Sequence, residues 1–406
     1  MANTLTPTDV YGIVNAMAYE MYGDANSLTA INTSTFVTVG ENMLRTGATN
    51  TLDALSHVIG RTIISARPYR GKFRIIVKTP AEWGGIERKI SFYSTWAEES
   101  ENFNTDINGT QLIDGASIDH YKIQKVYPLE LNFCGIKVIQ RHYTTWLKQL
   151  RLAFKNESEF ASFVSGMLVN IANDIEVQYD AQNRLQMLNA IAATVDVGAA
   201  RSVVNMTSFY NAYRNTSLTT AQLLSPTYFQ DFMEVFVMKL EGDMKLAEEY
   251  NDMFHIFPAR NDDSGNALTL LRHTPAEMRR LILYAPFFRE AEKTIFPSLF
   301  NDSYLKLEDF EGVEYWQNPN VPAGIDVTPN VLDTATGQAA TGNQIQLDAV
   351  LGIFFDRDAI ATSIKLEDVY TTPVNAGGMY YNTYYHWGFN FKLDQTENMI
   401  VYFMAD

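Results

Sequence analysis

The sequence predicts an α+β fold, and three observations carry that prediction. From Glu157 to about Thr194 there is no proline and only one glycine, Gly166, while Phe160, Val164, Met167, Ile171 and Ile175 recur at spacings of three and four, the period of one helix face. Between Ala66 and Lys125 the texture is that of strands, with apolar and polar residues alternating in "KFRIIVK" and "IERKISFYSTW". After residue 346 the chain turns to strands again, in the continuous apolar runs "AVLGIFF" and "MIVYFM" and the alternating "YYNTYYHWGFNF" between them.

The elements follow in order. In "TPTDVYGIVNAMAYEMYG", Thr6 is placed as an N-cap, Pro7 as the first helical residue and Asp9 three after the cap, so a short amphipathic helix opens the chain. Residues 24–60 are mixed and polar with little periodicity, and residues 1–60 read as an N-terminal arm. Residues 61–128 read as an extended two-stranded loop, "KFRIIVK" pairing with "IERKISFYSTW" around Pro80, Gly84 and Gly85. A two-stranded ribbon is at best marginally stable alone in water, so its faces need neighbours. Its charge is uneven: Arg67, Arg70, Lys72, Arg74 and Lys78 come without an acidic residue among them, and Glu98, Glu99 and Glu101 follow. These eight are the candidate inter-subunit contacts, by charge complementarity, against the plainer reading of a solvated face.

Residues 129–196 form the next region. Residues 129–154 run from a strand-like half into a helical or turn-rich half. The helix after them, if unbroken, is ~55 Å long at 1.5 Å per residue, a spine rather than a surface helix. A regular heptad does not persist past Asn183, which argues against a coiled coil. In residues 197–346, Ser225 and Pro226 start a helix carrying Phe229, Phe232, Met233 and Phe236, and "FHIFPARNDDSGNALTLLRH" reads as two strands around a turn at 262–266. Thr274, Pro275 and Glu277 match a capping box, which predicts a helix there; the helical reading resumes through "FFREAEKTIF" until Pro297. Residues 318–345, rich in Pro, Gly, Thr and Ala, read as a loop or mobile excursion. Residues 347–406 supply closing sheet strands. In "GGMYYNTYYHWGFNF", Tyr381, Thr383, Tyr385, Trp387, Phe389 and Phe391 share one strand face, and Tyr380, Asn382, Tyr384, His386, Gly388 and Asn390 the other. One face is apolar and the other mixed, so a half-buried strand is expected, with its rings stacked on protein and His386 a sheet histidine.

Composition narrows function. The 406 residues are 46% hydrophobic and 19% charged, a folded chain by composition, with 47 acidic against 31 basic residues and a net charge of -16. Such a balance disfavours general binding to phosphate backbones. The start lacks a basic n-region and no run of eighteen apolar residues occurs, so neither a signal peptide nor a membrane span is expected. The single cysteine, Cys134, cannot form an internal disulfide and sits in "LNFCGIKVI" as a small core hydrophobe. No phosphate loop, dinucleotide fingerprint, nucleophile elbow or H-E-x-x-H occurs, and the six histidines are scattered. The paired carboxylates Asp356/Asp358 and Glu367/Asp368 end apolar runs, where charges mark strand ends and turns. No catalytic residue, cofactor or metal site is expected.

The order of arm, extended loop, spine helix, helix-and-strand region and terminal strands resembles the Hong Kong 97 phage fold of tailed-bacteriophage major capsid proteins. Residue texture narrows this to short-tailed phages of the phi-29 type. "YGIVNAMAYEMYGD" with "VTVGENML" resembles the start of that group, "ESEFASFVSGMLVNIANDIEVQYD" its spine helix, and "LDAVLGIFFDRDAI" with "GGMYYNTYYHWGFNF" its aromatic C-terminal end. The resemblance implies a structural virion protein, not an enzyme: many copies, as hexamers and pentamers, form an icosahedral or prolate head around double-stranded DNA that is bound without sequence specificity. It implies the spine helix in a peripheral domain and residues 197–346 in a central axial domain. It also implies portal and scaffolding partners, no membrane, and the host cytoplasm as the place of assembly. Bacillus relatives carry an immunoglobulin-like domain after the capsid fold, whereas this sequence stops at "VYFMAD". Isopeptide cross-linking is not carried over, because its lysine, asparagine and glutamate have no matching positions. An encapsulin-like compartment shell is the alternative, and a carbohydrate-active or carbohydrate-binding protein the more distant one.

Overall fold

A computed structural model describes residues 7–22, 30, 33–46, 54, 71–77, 86–95, 121, 123, 125–134, 136–148, 157–289 and 310–406. Its elements run α1 (Pro7–Tyr22), α2 (Thr33–Thr46), β1 (Ile86–Phe92), β2 (Pro128–Cys134), β3 (Ile136–Trp146), α3 (Glu157–Val197), β4 (Val203–Asn205), α4 (Met206–Arg214), α5 (Thr220–Leu223), α6 (Phe229–Glu248), β5 (Arg279–Tyr284), α7 (Ala285–Phe288), β6 (Phe310–Val313), β7 (Ile325–Val327), β8 (Asn330–Leu332), β9 (Ala339–Thr341), β10 (Ile345–Leu347), β11 (Ala349–Asp356), β12 (Ile360–Thr371), β13 (Tyr380–Leu393) and β14 (Met399–Met404). The chain divides into two compact units, one of residues 1–85, 135–185 and 362–391, the other of residues 86–134, 186–361 and 392–406.

The first unit is a three-stranded sheet, β12-β13-β3, covered on one face by helices. β13 runs antiparallel to β3, and its burial alternates from Tyr380 to Trp387, as an apolar/polar strand with one covered face must. Tyr381, Tyr385, Trp387 and Phe389 meet Ile171, Ile175 and Tyr179 of α3, Val14 and Met17 of α1, and Phe36, Val39 and Met43 of α2. Within residues 24–60, the described helix α2 thus departs from expectation. "TFVTVGENML" carries a short helical period at 36, 39 and 43, and those side chains are core. The connection to α1 is fastened by Asn15, whose Nδ2 donates to the Ala30 carbonyl at 3.1 Å while its Oδ1 accepts the Ala30 N–H at 2.7 Å.

"KFRIIVK" is a second correction, since its described residues, 72–77, form no strand. The Gly71 N–H donates to Glu176 Oε1 at 2.9 Å and the Lys72 N–H to Asp180 Oδ1 at 2.6 Å, both on α3. Phe73 is buried at φ 59°, Arg74–Ile76 is a 3₁₀ turn, and only Val77 bridges a strand, at Thr362. Carboxylates on the helix satisfy the backbone donors a strand partner would have taken. Strand β1 pairs instead with β2. Residues 136–146 also stay extended where a helical or turn-rich half was expected, because β3 pairs along its whole length with residues 380–390 of the aromatic strand.

In the second unit the sheet order is β4-β14-β11-β5-β6, with β11 antiparallel to both neighbours. The strands "AVLGIFF" and "MIVYFM" are almost wholly buried, which is why they read as continuous apolar runs. Phe232, Phe236, Leu240 and Met244 of α6 pack on Leu281, Phe354, Ile400 and Tyr402. Helix α6 begins at Phe229, three residues after Pro226, which stands in the preceding turn. The turn at 262–266 forms as expected, closed by the Asp262 N–H on the Asn266 carbonyl at 2.8 Å, with Gly265 at φ 87°.

The expected capping box fails. Thr274 accepts from Asn398 Nδ2 at 3.2 Å and donates its N–H to the Ala247 carbonyl at 2.6 Å; only a 3₁₀ turn, Ala276–Met278, follows. "RRLILY" then joins the sheet as β5, sheet pairing outweighing a local helix signal. Of the helix expected up to Pro297, α7 is what the described residues contain; residues 290–309 lie outside them. The 318–345 segment is not a bare loop, because β7 pairs with β10 and β8 with β9. It is tied down by Asn343, whose N–H and Nδ2 both donate to the Asp196 carboxylate at 2.8 Å. Finally, β13 does not lie between β11 and β14, which pair directly, and Glu367 and Asp368 fall inside β12 rather than at its end. Asp356 does close β11.

Gly352 marks a register shift in β11, and a Cβ there would press on the Leu283 side chain and lie 2.8 Å from the Ile282 carbonyl oxygen. Gly352→Ala is expected to destabilise the second unit by about 1–3 kcal/mol through overpacking. Urea denaturation should show a lower midpoint with an unchanged slope.

Candidate subunit-interaction site

The ribbon β1/β2 exposes large apolar side chains, Ile90 and Phe92 among them. Its register sets Glu87, Lys89 and Ser91 opposite Phe133, Leu131 and Leu129, and Arg88, Ile90 and Phe92 opposite Asn132, Glu130 and Pro128. Alternation therefore gives two unlike faces. The inner face is covered within its own unit. Leu129 joins Tyr93, Tyr127, Leu268 and Leu270 in a small core, and the Tyr93 hydroxyl donates to the Pro258 carbonyl at 2.6 Å. Burial raises the Tyr93 pKa above its usual value. Farther along the same face, Lys89 binds Asp394 and Glu397, and Lys392 Nζ lies 2.9 Å from Glu87 Oε1.

The outer face is open. Ile90 is 50% exposed and Phe92 60%, and Tyr121, Ile123 and Val126 are exposed in the segment leading into β2. Beside them Arg88 donates to Glu130 Oε2 at 2.7 Å, and this bond, then that of Asn132, holds the Glu130 carboxyl below its usual range. The face thus sets exposed apolar side chains beside an exposed ion pair.

Of the eight charged residues singled out in the sequence, Arg67, Arg70, Lys78, Glu98, Glu99 and Glu101 lie outside the described residues. Arg74 begins the 3₁₀ turn and Lys72 is exposed, its N–H on Asp180. Sequence reading missed Lys89, Arg272, Lys392, Asp394 and Glu397. The alternation of "IERKISF" does place Glu87 and Lys89 on one face, but nothing local signals their partners some 300 residues away.

The mixed face of β13 behaves as expected. His142 stacks on Tyr384 at 5.2 Å, Tyr384 lies parallel to His386 at 6.4 Å, and Tyr370 meets His386 edge-on at 5.7 Å. The rings stack on protein and His386 sits between two tyrosines. Asp356 is buried, which raises its pKa, and its Oδ1 accepts the Asp358 N–H at 2.8 Å, a turn-closing bond. Among the described residues no group of three or more His, Cys, Asp or Glu is placed to hold a metal ion, and no helix is long and apolar enough to cross a membrane. The side chain of Cys134 lies outside the described residues.

These features define a shell-building subunit: two units, a 41-residue helix and a ribbon with one uncovered face. The chain belongs to the Phi29-like phage major capsid protein family, whose model it matches over residues 14–403. It is 20% identical to the major capsid protein of Bacillus phage GA-1 over 403 residues, which cover 91% of this chain and 81% of that one. Among solved structures it is similar to the capsid structure of Staphylococcus phage Andhra, with a TM-score of 0.52 at 10% identity, over 83% of this chain and 84% of that one. The fold is the Hong Kong 97-type capsid fold, α+β, and the protein is a structural component of a bacteriophage capsid.

The aromatic strand generates one prediction. Burial, assisted for Tyr143 by its bond to Asp174, pushes the Tyr143 and Tyr381 pKa values up to about 12, and burial drives that of Tyr385 further. Each folded value is raised, so the associated stability is whole below the usual tyrosine value of 10 and is lost as the pH climbs towards 12. Ultraviolet titration beside circular dichroism should show a late-ionising fraction whose titration coincides with unfolding. Reversible ionisation of every tyrosine near 10 with the fold intact would contradict it.

Proposed function

We propose that copies of this chain meet through the ribbon and close as hexamers and pentamers into an icosahedral or prolate head around double-stranded DNA. The observation that carries this reading is the outer ribbon face, where Ile90 and Phe92 stand exposed beside the Arg88–Glu130 pair. Fully burying such a side chain gains roughly 1.5–3 kcal/mol, and many modest contacts add up around a closed lattice. The basic segment Arg67, Arg70, Lys72, Arg74 and Lys78, facing an acidic patch such as Glu98, Glu99 and Glu101 on a neighbour, sets register more than affinity.

In this reading residues 1–60 are the arm, 61–128 the extended loop, 129–196 the peripheral domain with its spine helix, 197–346 the axial domain and 347–406 the closing strands. The net charge of -16 suits a wall that encloses DNA without gripping its phosphates. Portal and scaffolding proteins are the further partners, assembly takes place in the host cytoplasm, and the protein carries out no catalysis.

Two variants test the reading. Ile90→Asp with Phe92→Asp should leave circular dichroism and monomer stability unchanged, since both positions are exposed, and should abolish shells in negative-stain electron microscopy. Reversing Arg70, Lys72 and Arg74 to Glu should likewise spare the monomer and block or misdirect assembly. Normal shells from either variant would overturn the corresponding contact.

A further inference from the structure

On the inner face of the ribbon, beside the small apolar core, the β1 side chains are held by charged and polar partners. Lys89 Nζ reaches three acceptors at once: Asp394, Glu397 and, at 3.3 Å, Thr396 Oγ1. Arg272 spans the same place, its Nε donating to the Thr396 carbonyl at 3.0 Å and standing 3.4 Å from Glu397, its other nitrogen donating to Ser91 Oγ at 2.6 Å. Lys392 pairs with Glu87 and lies over the Phe133 ring at 5.0 Å. Every inner-face position of β1 from 87 to 91 therefore has its own polar partner.

The partners are themselves fixed. Asp394 Oδ1 accepts both the N–H of Thr396, at 3.0 Å, and its hydroxyl, at 2.6 Å. Gln395 Nε2 donates to the Ala193 carbonyl on α3 at 3.2 Å, its Oε1 accepts the Leu332 N–H at 2.6 Å, and its carbonyl accepts the Ile256 N–H at 3.0 Å. The turn after β13 is thus a rigid seat in the body of the second unit. The side chains of Asp394, Lys392 and Glu397 are 0%, 8% and 13% exposed.

Charge balances across the network, with Lys89, Arg272 and Lys392 against Glu87, Asp394 and Glu397. Burying ions costs desolvation that their attraction only partly recovers, so such a network is a poor source of stability compared with apolar packing. What it supplies is direction, because Lys89 finds three acceptors in one geometry only, whereas apolar faces slide.

We propose that this six-residue clamp is a positioning device which fixes the angle at which the ribbon leaves its unit, and through that angle the curvature of the shell. The proposal rests on the reading that the ribbon's outer face meets a second copy. A neighbour held by a ribbon of fixed angle is added within a narrow range of inclinations, so the shells share one diameter, measured across the width of a prolate head. A ribbon of variable angle makes the same contact at several inclinations.

The test compares wild type, Lys89→Arg, and the isosteric neutral set Lys89→Met with Asp394→Asn and Glu397→Gln. Shells are sized by electron microscopy and monomer stability is measured by urea denaturation. Lys89→Arg keeps the charge and should keep the single diameter. The neutral set should give folded monomers that still assemble, with loss of the single diameter. Uniform shells of wild-type size from the neutral set would overturn the clamp. Folded monomers that do not assemble at all would also overturn it, since a device that sets only an angle leaves the contact face intact. Should the neutral set not fold, Glu87→Gln at its half-exposed position frees Lys392 alone and must still broaden the diameters, uniform shells again overturning the proposal. Ile90→Asp separates this from the reading beneath it: normal shells there would remove the ribbon contact, whereas uniform shells in the clamp variants alone would remove only the angle.

Discussion

A two-stranded ribbon has two faces and no third strand, so whatever buries those faces must come from outside the ribbon. The rest of the structure can be read from how that requirement is divided. One face of β1/β2 is met at home by Tyr93, Tyr127, Leu268 and Leu270 and by the lysine and arginine network, and the other is left open with Ile90 and Phe92 outward. The division lets the chain fold before it associates. A ribbon covered on both faces would have nothing to offer a neighbour, and one covered on neither would lack a defined position from which to offer it.

The two sheets solve the burial problem in different ways, and their sequences differ accordingly. β13 has helices on one face only, so it alternates, and its covered rings stack on Tyr179 and on one another. β11 and β14 sit inside a five-stranded sheet and are buried along nearly their whole length, so they read as unbroken apolar runs. In that core the Tyr402 hydroxyl donates to Asp243 at 3.0 Å with Lys239 alongside, in keeping with the rule that a buried charge is paired and hydrogen-bonded.

What was legible in the sequence is what local pattern controls. The helix from Glu157, the strands after residue 346 and the face assignment of β13 rest on periods of 3.6 and 2 that tertiary contacts reinforce. What was not legible depended on partners far along the chain. "KFRIIVK" alternates like a strand, but Asp180 accepts the N–H of its first residue, Lys72, and Glu176 that of Gly71 just before it, a hundred residues on. Thr274, Pro275 and Glu277 spell a helix start, but Asn398 claims the threonine hydroxyl and the following "RRLILY" is claimed by β11. The clamp was hidden for the same reason, since its halves lie at 87–91 and 392–397 and neither half means anything alone. Of the candidate site, the sequence pointed to a ribbon as the place of the proposed contacts, while Asp394 and Glu397, which hold Lys89, come from the other end of the chain.

The carboxylates belong to the same logic. Asp356 of the first acidic pair takes the Asp358 backbone N–H, and other carboxylates take backbone donors and lysines in the same way. Glu176 and Asp180 hold the 71–77 segment, Asp196 holds the turn before β10, and Asp262 closes its own turn through Ser264 and Asn266. Asp394 shapes the turn that receives Lys89. A carboxylate is well suited to this, because it has acceptor sites to spare and no donor of its own to satisfy. A chain that fastens long irregular segments to a helix and a few strands with such residues accumulates acid faster than base.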